Sequence, residues 1–472
     1  MDHGPENGDH GRILDAREAA VFVLEQLETS GPPAREVMDR LVFQRRLPDR
    51  EFDLTMELVM GVIRHRLTLA RLLGAFTERG WKRVDHRLKQ LLLVAAYQII
   101  WLDGIPPFAA VNEAVKQAKT GTGVRGGGFV NAVLRQMIRQ IEDRRMPLEQ
   151  SDPARSVPID GRFCCQFKRV FLPDSAGQPV EYLAYLTSHP VALVSHWVSV
   201  FGVERTGELC RAGTCRPPLF LRPNCLRTDA ARLLERLRSE GYEASLSSDG
   251  EMVVLLGGPP VIRAAAFADG WFQPQDPTAM LPVRNMKLQR GQVVVDMCAG
   301  LGTKTTYMAE LIGDEGLILA SDKDEYKLDA LRKNARRLGL TSIRPTALSD
   351  LAGVVKKIDR VDWILVDVPC GNSGVFARRP EARYRMDEQL LSHLADIQVR
   401  LLEQAEALAS KSTGLMYSTC SVEPSENEQI VARFVQKHQH WRLRNSGRTW
   451  PRGMADPADW RDGGFWAHLV RE

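Results

Sequence analysis

No run of about 18 or more apolar residues occurs in the 472-residue sequence, so nothing in it argues for a membrane-spanning helix. The opening stretch MDHGPENGDHGR lacks the basic start and apolar centre of a secretory signal; it predicts a frayed N-terminus on a cytoplasmic protein. Neither sign of charge is in large excess, with 63 Lys and Arg against 59 Asp and Glu, a net +4 and a pI of about 8.6. That mild basic balance hints at a polyanionic partner without specifying one. The eight cysteines include no CxxC pair and have no histidines at ligand spacing, which argues against a zinc site or a disulfide framework and predicts no metal. In a reducing cytosol most of them read as small buried hydrophobes, and any that does chemistry acts as a thiolate. The GxxxxGK[ST] phosphate loop is also missing.

What is present changes character along the chain. From about residue 12 to 140 the pattern is helical and strand-like runs are absent: Ala20, Val21, Leu24 and Leu27 share one face, and Leu69, Leu72, Leu73 and Phe76 another. Breakers at Gly31-Pro32-Pro33, Leu47-Pro48-Asp49 and Gly104 to Pro107 separate the helices. This predicts an all-α bundle over 12–145. Scattered proline, glycine and charge over 146–180 predict a linker or irregular insertion. Residues 181–270 carry the strand-like LFLRPN and MVVLLG around a helix at Ala230 to Ser239, which predicts a small α+β connector. Over 271–472, continuous apolar strands alternate with amphipathic helices, the pattern of a doubly wound, mostly parallel sheet. Ligands of such sheets lie at the carboxyl ends of the strands.

The chemistry-bearing residues fall at those ends. Asp296 to Lys304 follow one strand, and small residues there let backbone amides and a helix N-terminus approach a ligand. Asp322 ends the next, where a carboxylate accepts from a ribose hydroxyl. Together they point to an adenosine-containing cofactor. Asp367 and Cys370 follow a third strand, with Pro369 fixing the backbone and glycines opening the loop. Cys420 follows a fourth. Either thiol alone reads as a small buried side chain; two at neighbouring strand ends, flanking the cofactor turn, read as a site. Methylation of cytosine C5 uses this set, because that carbon attacks a methyl sulfonium only after a thiolate adds at C6. Asp367 can hydrogen-bond the base edge and stabilise the adduct. A second thiol can assist release.

The segments VVDMCAGLGTKTTYMAELI, ASDKDEYKLDALRKNARRLGL, WILVDVPCGNSGVFARRPEARYR, LMYSTCSVEPSENE and DGGFWAHLVRE resemble, in order and spacing, the motifs of the NOL1/NOP2/Sun family of RNA 5-methylcytosine methyltransferases. LVMGVIRHR, LLLVAAYQIIWLDGIPPFAAVNEAVKQAK and GGGFVNAVLRQ resemble the NusB-like RNA-binding domain that bacterial members carry, and YLTSHPVALVSHWVSVFG and PPLFLRPNCLRT resemble their connector. The resemblance implies a NusB-like bundle, the α+β connector and a Rossmann-like class I methyltransferase domain. It implies S-adenosyl-L-methionine as cofactor and one cytidine of 16S ribosomal RNA as target, in a cytoplasmic monomer. By it, Cys420 is the nucleophile and Cys370 the helper in release. Cys298, Ala299, Gly300, Leu301, Gly302, Thr303 and Lys304 line the methionine side, Asp322 meets the ribose, Asp350 the adenine, and Asp367 the junction of cofactor and base.

The family's cofactor turn reads Cys-Ala-Ala-Pro-Gly-Gly-Lys-Thr, whereas here Leu301 and Thr303 replace the proline and a glycine. If that glycine needs a positive φ, Thr303 is strained by roughly 1–3 kcal/mol. Because C5 and C6 of a paired cytosine are closed to thiol and donor, the RNA must present an exposed or flipped base. Arg378, Arg379, Arg383 and Arg385, beside the site, are the stronger candidates for phosphate contacts; Arg64, Arg66, Lys116, Lys119, Arg135 and Arg139 on the helical domain are further ones. Two alternatives remain open on the residues alone: another RNA such as tRNA, or a non-catalytic RNA-binding assembly protein with an impaired cofactor turn.

Overall fold

Prolines and short polar linkers cut the first part of the chain into helices, and the structure, a computed structural model, describes residues 13–27, 34–44, 46–453 and 456–472. The expected frayed terminus and the Gly31-Pro32-Pro33 breaker lie outside the described residues. The chain divides into two compact units, 1–214 and 215–472, a division that falls inside the stretch 181–270 expected as one connector.

In the first unit, helices run over Ala16–Leu27, Ala34–Phe43, Asp49–Gly74, His86–Trp101 and Pro107–Gln140, the last interrupted at Gly123. Asp85 caps the fourth by accepting from the Leu88 amide at 3.2 Å. Ala20, Leu24, Leu69, Leu72, Leu92, Ala96 and Ile99 are buried together as the helical periodicity requires. The end of the span expected as all-α and the first part of the stretch expected as an irregular linker form a three-stranded antiparallel sheet in the order β1-β3-β2, with β1 at Ile141–Pro147, β2 at Ser156–Pro158 and β3 at Phe163–Phe167. Its first strand is charged and half-exposed, so it carries no apolar alternation. Helices Pro179–Leu186 and Val191–Thr214 complete the unit.

The second unit holds two sheets. β4 (Leu219–Pro223), β5 (Glu243–Leu246), β6 (Val253–Gly257) and β7 (Phe272–Pro274) pair antiparallel in the order β5-β6-β4-β7. β8 (Val293–Asp296), β9 (Leu317–Asp322), β10 (Ile343–Ala347), β11 (Trp363–Asp367), β12 (Gly414–Thr419), β13 (Trp441–Thr449) and β14 (Gly464–Arg471) form a seven-stranded sheet ordered β10-β9-β8-β11-β12-β14-β13. The first five are parallel, and β14 and β13 turn the edge antiparallel. Alternate residues of the parallel strands enter two cores: Val294, Ile318, Leu365 and Met416 on one face, and Val295, Leu319, Ile364 and Tyr417 on the other. Burial on both faces explains why these strands read as continuous apolar runs. Strand order reverses between β8 and β11, the position where such sheets open a crevice at their carboxyl ends. Among the described residues no helix is long and apolar enough to cross a membrane.

Candidate active site

The turn leaving β8 is shaped by two glycines. Gly300 has φ 55° and Gly302 φ 86°, a left-handed conformation in which a Cβ is costly. A Cβ on Gly302 would also lie 2.0 Å from Leu331 Cδ1, whereas one on Gly300 would meet nothing within 4 Å. Thr303 is the first residue of the helix Thr303–Leu311 and is not among the residues with positive φ. The strain expected at Thr303 is therefore absent, because both left-handed positions of this turn carry glycine. Leu301 is 58% exposed. Behind the turn, fully buried Arg222 of β4 donates to the Thr303 carbonyl at 3.2 Å and to Glu310 at 2.7 Å.

Asp322, at the end of β9, accepts from the Gly300 amide at 3.0 Å through Oδ2, and through Oδ1 from the Asp324 amide at 3.0 Å and Lys327 at 3.2 Å. Beneath the turn Asp296 is buried and accepts from Thr305 Oγ1 at 2.7 Å; burial, with Asp367 nearby, pushes its carboxyl up to about 7. Burial and the surrounding carboxylates also push the Cys298 thiol up, so it stays protonated. Asp350 is exposed, precedes the helix Leu351–Val355 and accepts from Ser349 Oγ at 3.1 Å.

Parallel pairing of β11 with β12 sets Asp367 opposite Ser418. Asp367 accepts from Ser418 Oγ at 2.6 Å and from Lys304 Nζ at 2.6 Å, which ties the thiol corner to the cofactor turn. Three residues beyond Asp367, Cys370 Sγ stands 3.1 Å from Cys420 Sγ. The Cys420 thiol can also donate to Asn372 Oδ1 at 3.3 Å, while Asn372 Nδ2 donates to the Cys370 carbonyl at 2.8 Å. Asn372 has φ 62°, a conformation that Asn tolerates better than most residues. Below, buried Glu426 accepts from the Gly371 amide at 2.8 Å and from Gln398 at 3.0 Å. Ser373 and Ser421 hydroxyls lie 2.9 Å apart and stitch the two loops.

The two thiols are not equivalent. The hydrogen bond donated by Cys370 holds Cys420 below the ordinary thiol range, against burial, with Arg379 and Lys304 adding to the effect and Asp367 opposing it. That same bond, with burial, holds Cys370 well above it. Of the two, Cys420 is the sulfur that ionises more readily and Cys370 the one that holds its proton more firmly.

The arginine run divides. Arg378 donates to Asp276 at 3.0 Å, to Asp462 and to the Pro218 carbonyl at 3.1 Å, so its charge is spent inside the unit. Arg383 is fully buried, donating to the Phe376 carbonyl at 3.2 Å, and a buried guanidinium cannot meet an RNA phosphate. Both correct the expectation of four phosphate contacts; Arg379 and Arg385 are exposed. In the helical unit Arg64 is buried, whereas Lys116, Lys119, Arg135 and Arg139 are exposed. Sequence reasoning missed Asn372, Ser418 and Glu426. An Asn between glycine and serine in a turn was a signal for the first; nothing in the pattern marks the other two. A larger recess of about 420 Å³, lined by Val431, Val435, Leu443 and Phe465 among others, contains none of the expected residues.

Residues 283–456 match the family described as 16S rRNA methyltransferase RsmB/F, 14–139 match the NusB family, and 189–263 match the RsmF/B-like ferredoxin-like domain. A probable ribosomal RNA small subunit methyltransferase B of Bacillus subtilis is 31% identical over 424 residues, 89% of this chain and 88% of its own length. The chain belongs to this RsmB/F family. It is an S-adenosylmethionine-dependent RNA methyltransferase. A second RsmB relative, from Synechocystis, is 30% identical over 94% of each chain. The solved methyltransferase homolog protein from Pyrococcus horikoshii shares the fold, with a TM-score of 0.52 at 23% identity over 62% of this chain and 99% of that one. The RsmB/F turn described above fits the cofactor: the space over Gly300 is open, the helix start at Thr303 offers free amides, and the Asp322 carboxylate lies against the turn.

Proposed function

We propose that the enzyme methylates C5 of a cytidine in 16S ribosomal RNA through a covalent adduct between Cys420 and C6 of the base. The observation that carries this reading is the 3.1 Å thiol pair in which Cys420 is held toward the thiolate and Cys370 toward the thiol. The Cys420 thiolate adds to C6, and the electron pair moves into the ring and makes C5 nucleophilic. Asp367, oriented by Lys304 and Ser418, bonds the base edge and stabilises the adduct. S-adenosylmethionine, when bound by residues Cys298 through Lys304 with Asp322 and Asp350, supplies an electrophilic methyl group. Water takes the C5 proton, the ring double bond reforms as the sulfur–C6 bond breaks with its electron pair on sulfur, and Cys370 delivers its proton to the departing Cys420 thiolate.

The reading needs no second copy of the chain, and we read the enzyme as a cytoplasmic monomer. Exposed Lys116, Lys119, Arg135 and Arg139 on the helical domain, with Arg385 beside the site, hold phosphates. The unstrained turn at Thr303 takes away one of the two departures, at Leu301 and Thr303, that favour a non-catalytic scaffold. The test incubates the enzyme and S-adenosylmethionine with unmodified 16S rRNA, and with tRNA in parallel, and maps methylated nucleotides by mass spectrometry. One 5-methylcytidine in 16S rRNA, lost with Cys420→Ala, is expected. Methylation of tRNA alone, of another base atom, or undiminished by Cys420→Ala would overturn the proposal.

A further inference from the structure

Arg379 is exposed in an arginine run, yet its guanidinium is anchored rather than loose: Nη1 donates to Asn372 Oδ1 at 3.2 Å. That oxygen is the one facing Cys420 Sγ at 3.3 Å. The bond from Asn372 Nδ2 to the Cys370 carbonyl fixes which end of the amide faces the sulfur, and the left-handed backbone at Asn372 aims it there. We propose that Arg379 is a positioning residue that keeps Cys420 in its reactive anionic form, with Asn372 as the tether that holds the guanidinium beside the sulfur; this rests on the reading of Cys420 as the nucleophile.

The balance of charge around the sulfur carries the inference. Beside the Asn372 oxygen, four titratable groups face it: Cys370 from the loop after β11, Asp367 from the end of β11, Lys304 from the helix after the cofactor turn, and Arg379. Lys304 and Asp367 are bonded to each other at 2.6 Å, so their fields at the sulfur largely cancel. Among the described residues Arg379 has no carboxylate partner, in contrast to its neighbour Arg378, which has two. Arg379 is thus the uncompensated cation beside the thiol pair. Asn372 alone would favour the neutral thiol, since a carbonyl oxygen accepts S–H and repels S⁻. A guanidinium donating to that same oxygen draws on its lone pairs and adds a full positive charge one side chain from the sulfur.

The test reads the thiol without cofactor or RNA. Iodoacetamide alkylation of Cys420 is followed by peptide mapping from about pH 5 to pH 10 in the full-length enzyme, alongside methyl transfer. Arg379→Gln, which removes the charge, is expected to raise the alkylation midpoint by about 1 and slow alkylation at neutral pH roughly tenfold. Arg379→Lys is expected to restore most of the difference. An unchanged midpoint in Arg379→Gln, with only a higher KM for RNA, would overturn the proposal and make Arg379 a plain phosphate contact. The underlying reading fails separately: full methyl transfer by a Cys420→Ser enzyme would sink Cys420 as nucleophile whatever the alkylation midpoints show.

Discussion

At the end of β8 the turn is set by the main chain, with Gly300 and Gly302 in left-handed conformations and the Asp322 carboxylate at the end of β9 holding the Gly300 amide. At the ends of β11 and β12 the working groups are side chains, in two neighbouring bonded sets, Cys370 with Cys420 and Asn372, and Asp367 with Ser418 and Lys304. The contrast follows from the task. Holding a cofactor needs a shaped backbone, whereas the proposed addition across a pyrimidine double bond needs a nucleophile, a proton and a charge at set places. A backbone site therefore tolerates substitutions that respect φ, and a side-chain site tolerates almost none.

That contrast is open to breakage. The largest effect is expected at the thiol corner: Cys420→Ser lowers methyl transfer by about a thousandfold or more with unchanged melting temperature, measured by label incorporation. An inactive but destabilised protein would instead place Cys420 in the fold's support. Next, Arg378→Ala leaves Asp462 and Asp276 buried without their cation and costs about 3 kcal/mol in denaturant unfolding. Arg379→Ala, its exposed neighbour, costs no more than about 0.5 kcal/mol.

In the backbone site, Gly302→Ala meets both a positive φ and Leu331 and costs about 2–3 kcal/mol. Gly300→Ala costs about 1 kcal/mol and acts mainly by filling the open space over the turn, so it weakens cofactor titrations more than it lowers the melting temperature. Asp296 makes stability depend on pH. Its folded carboxyl is raised to about 7, above an unfolded value near 3.8, so the folded state binds the extra proton and stability falls as pH rises between those values. Asp296→Asn flattens that fall by about 1–2 kcal/mol between pH 5 and pH 8. The smallest effect is at Thr303, where Thr303→Gly changes cofactor affinity by no more than about twofold, because the helical backbone there needs no glycine.

Much of this was legible. Apolar strands and their polar ends placed Asp322, Asp367, Cys370 and Cys420 correctly at one edge of the sheet, because burial on both faces leaves a plain signature. The β1 to β3 sheet was not legible, since a half-exposed strand such as Ile141–Pro147 carries charges where alternation would show. Nor was the split of the arginine run. Arg378, Arg379 and Arg383 look alike in sequence, and only the positions of Asp276, Asp462, Phe376 and Asn372 decide which is buried, which is paired and which faces the thiols. Glu426 and Ser418 were hidden for the same reason, as their partners lie on other strands and loops.

The central claim is that two thiols divide one covalent cycle, Cys420 bonding the base and Cys370 returning the proton. Its most direct test incubates Cys370→Ala with S-adenosylmethionine and unmodified 16S rRNA and resolves protein from RNA on denaturing gels. The account predicts a protein–RNA adduct that accumulates in Cys370→Ala and disappears when Cys420→Ala is added. An adduct that persists in the double variant, or one that forms through Cys370 when Cys420 alone is replaced, would contradict it.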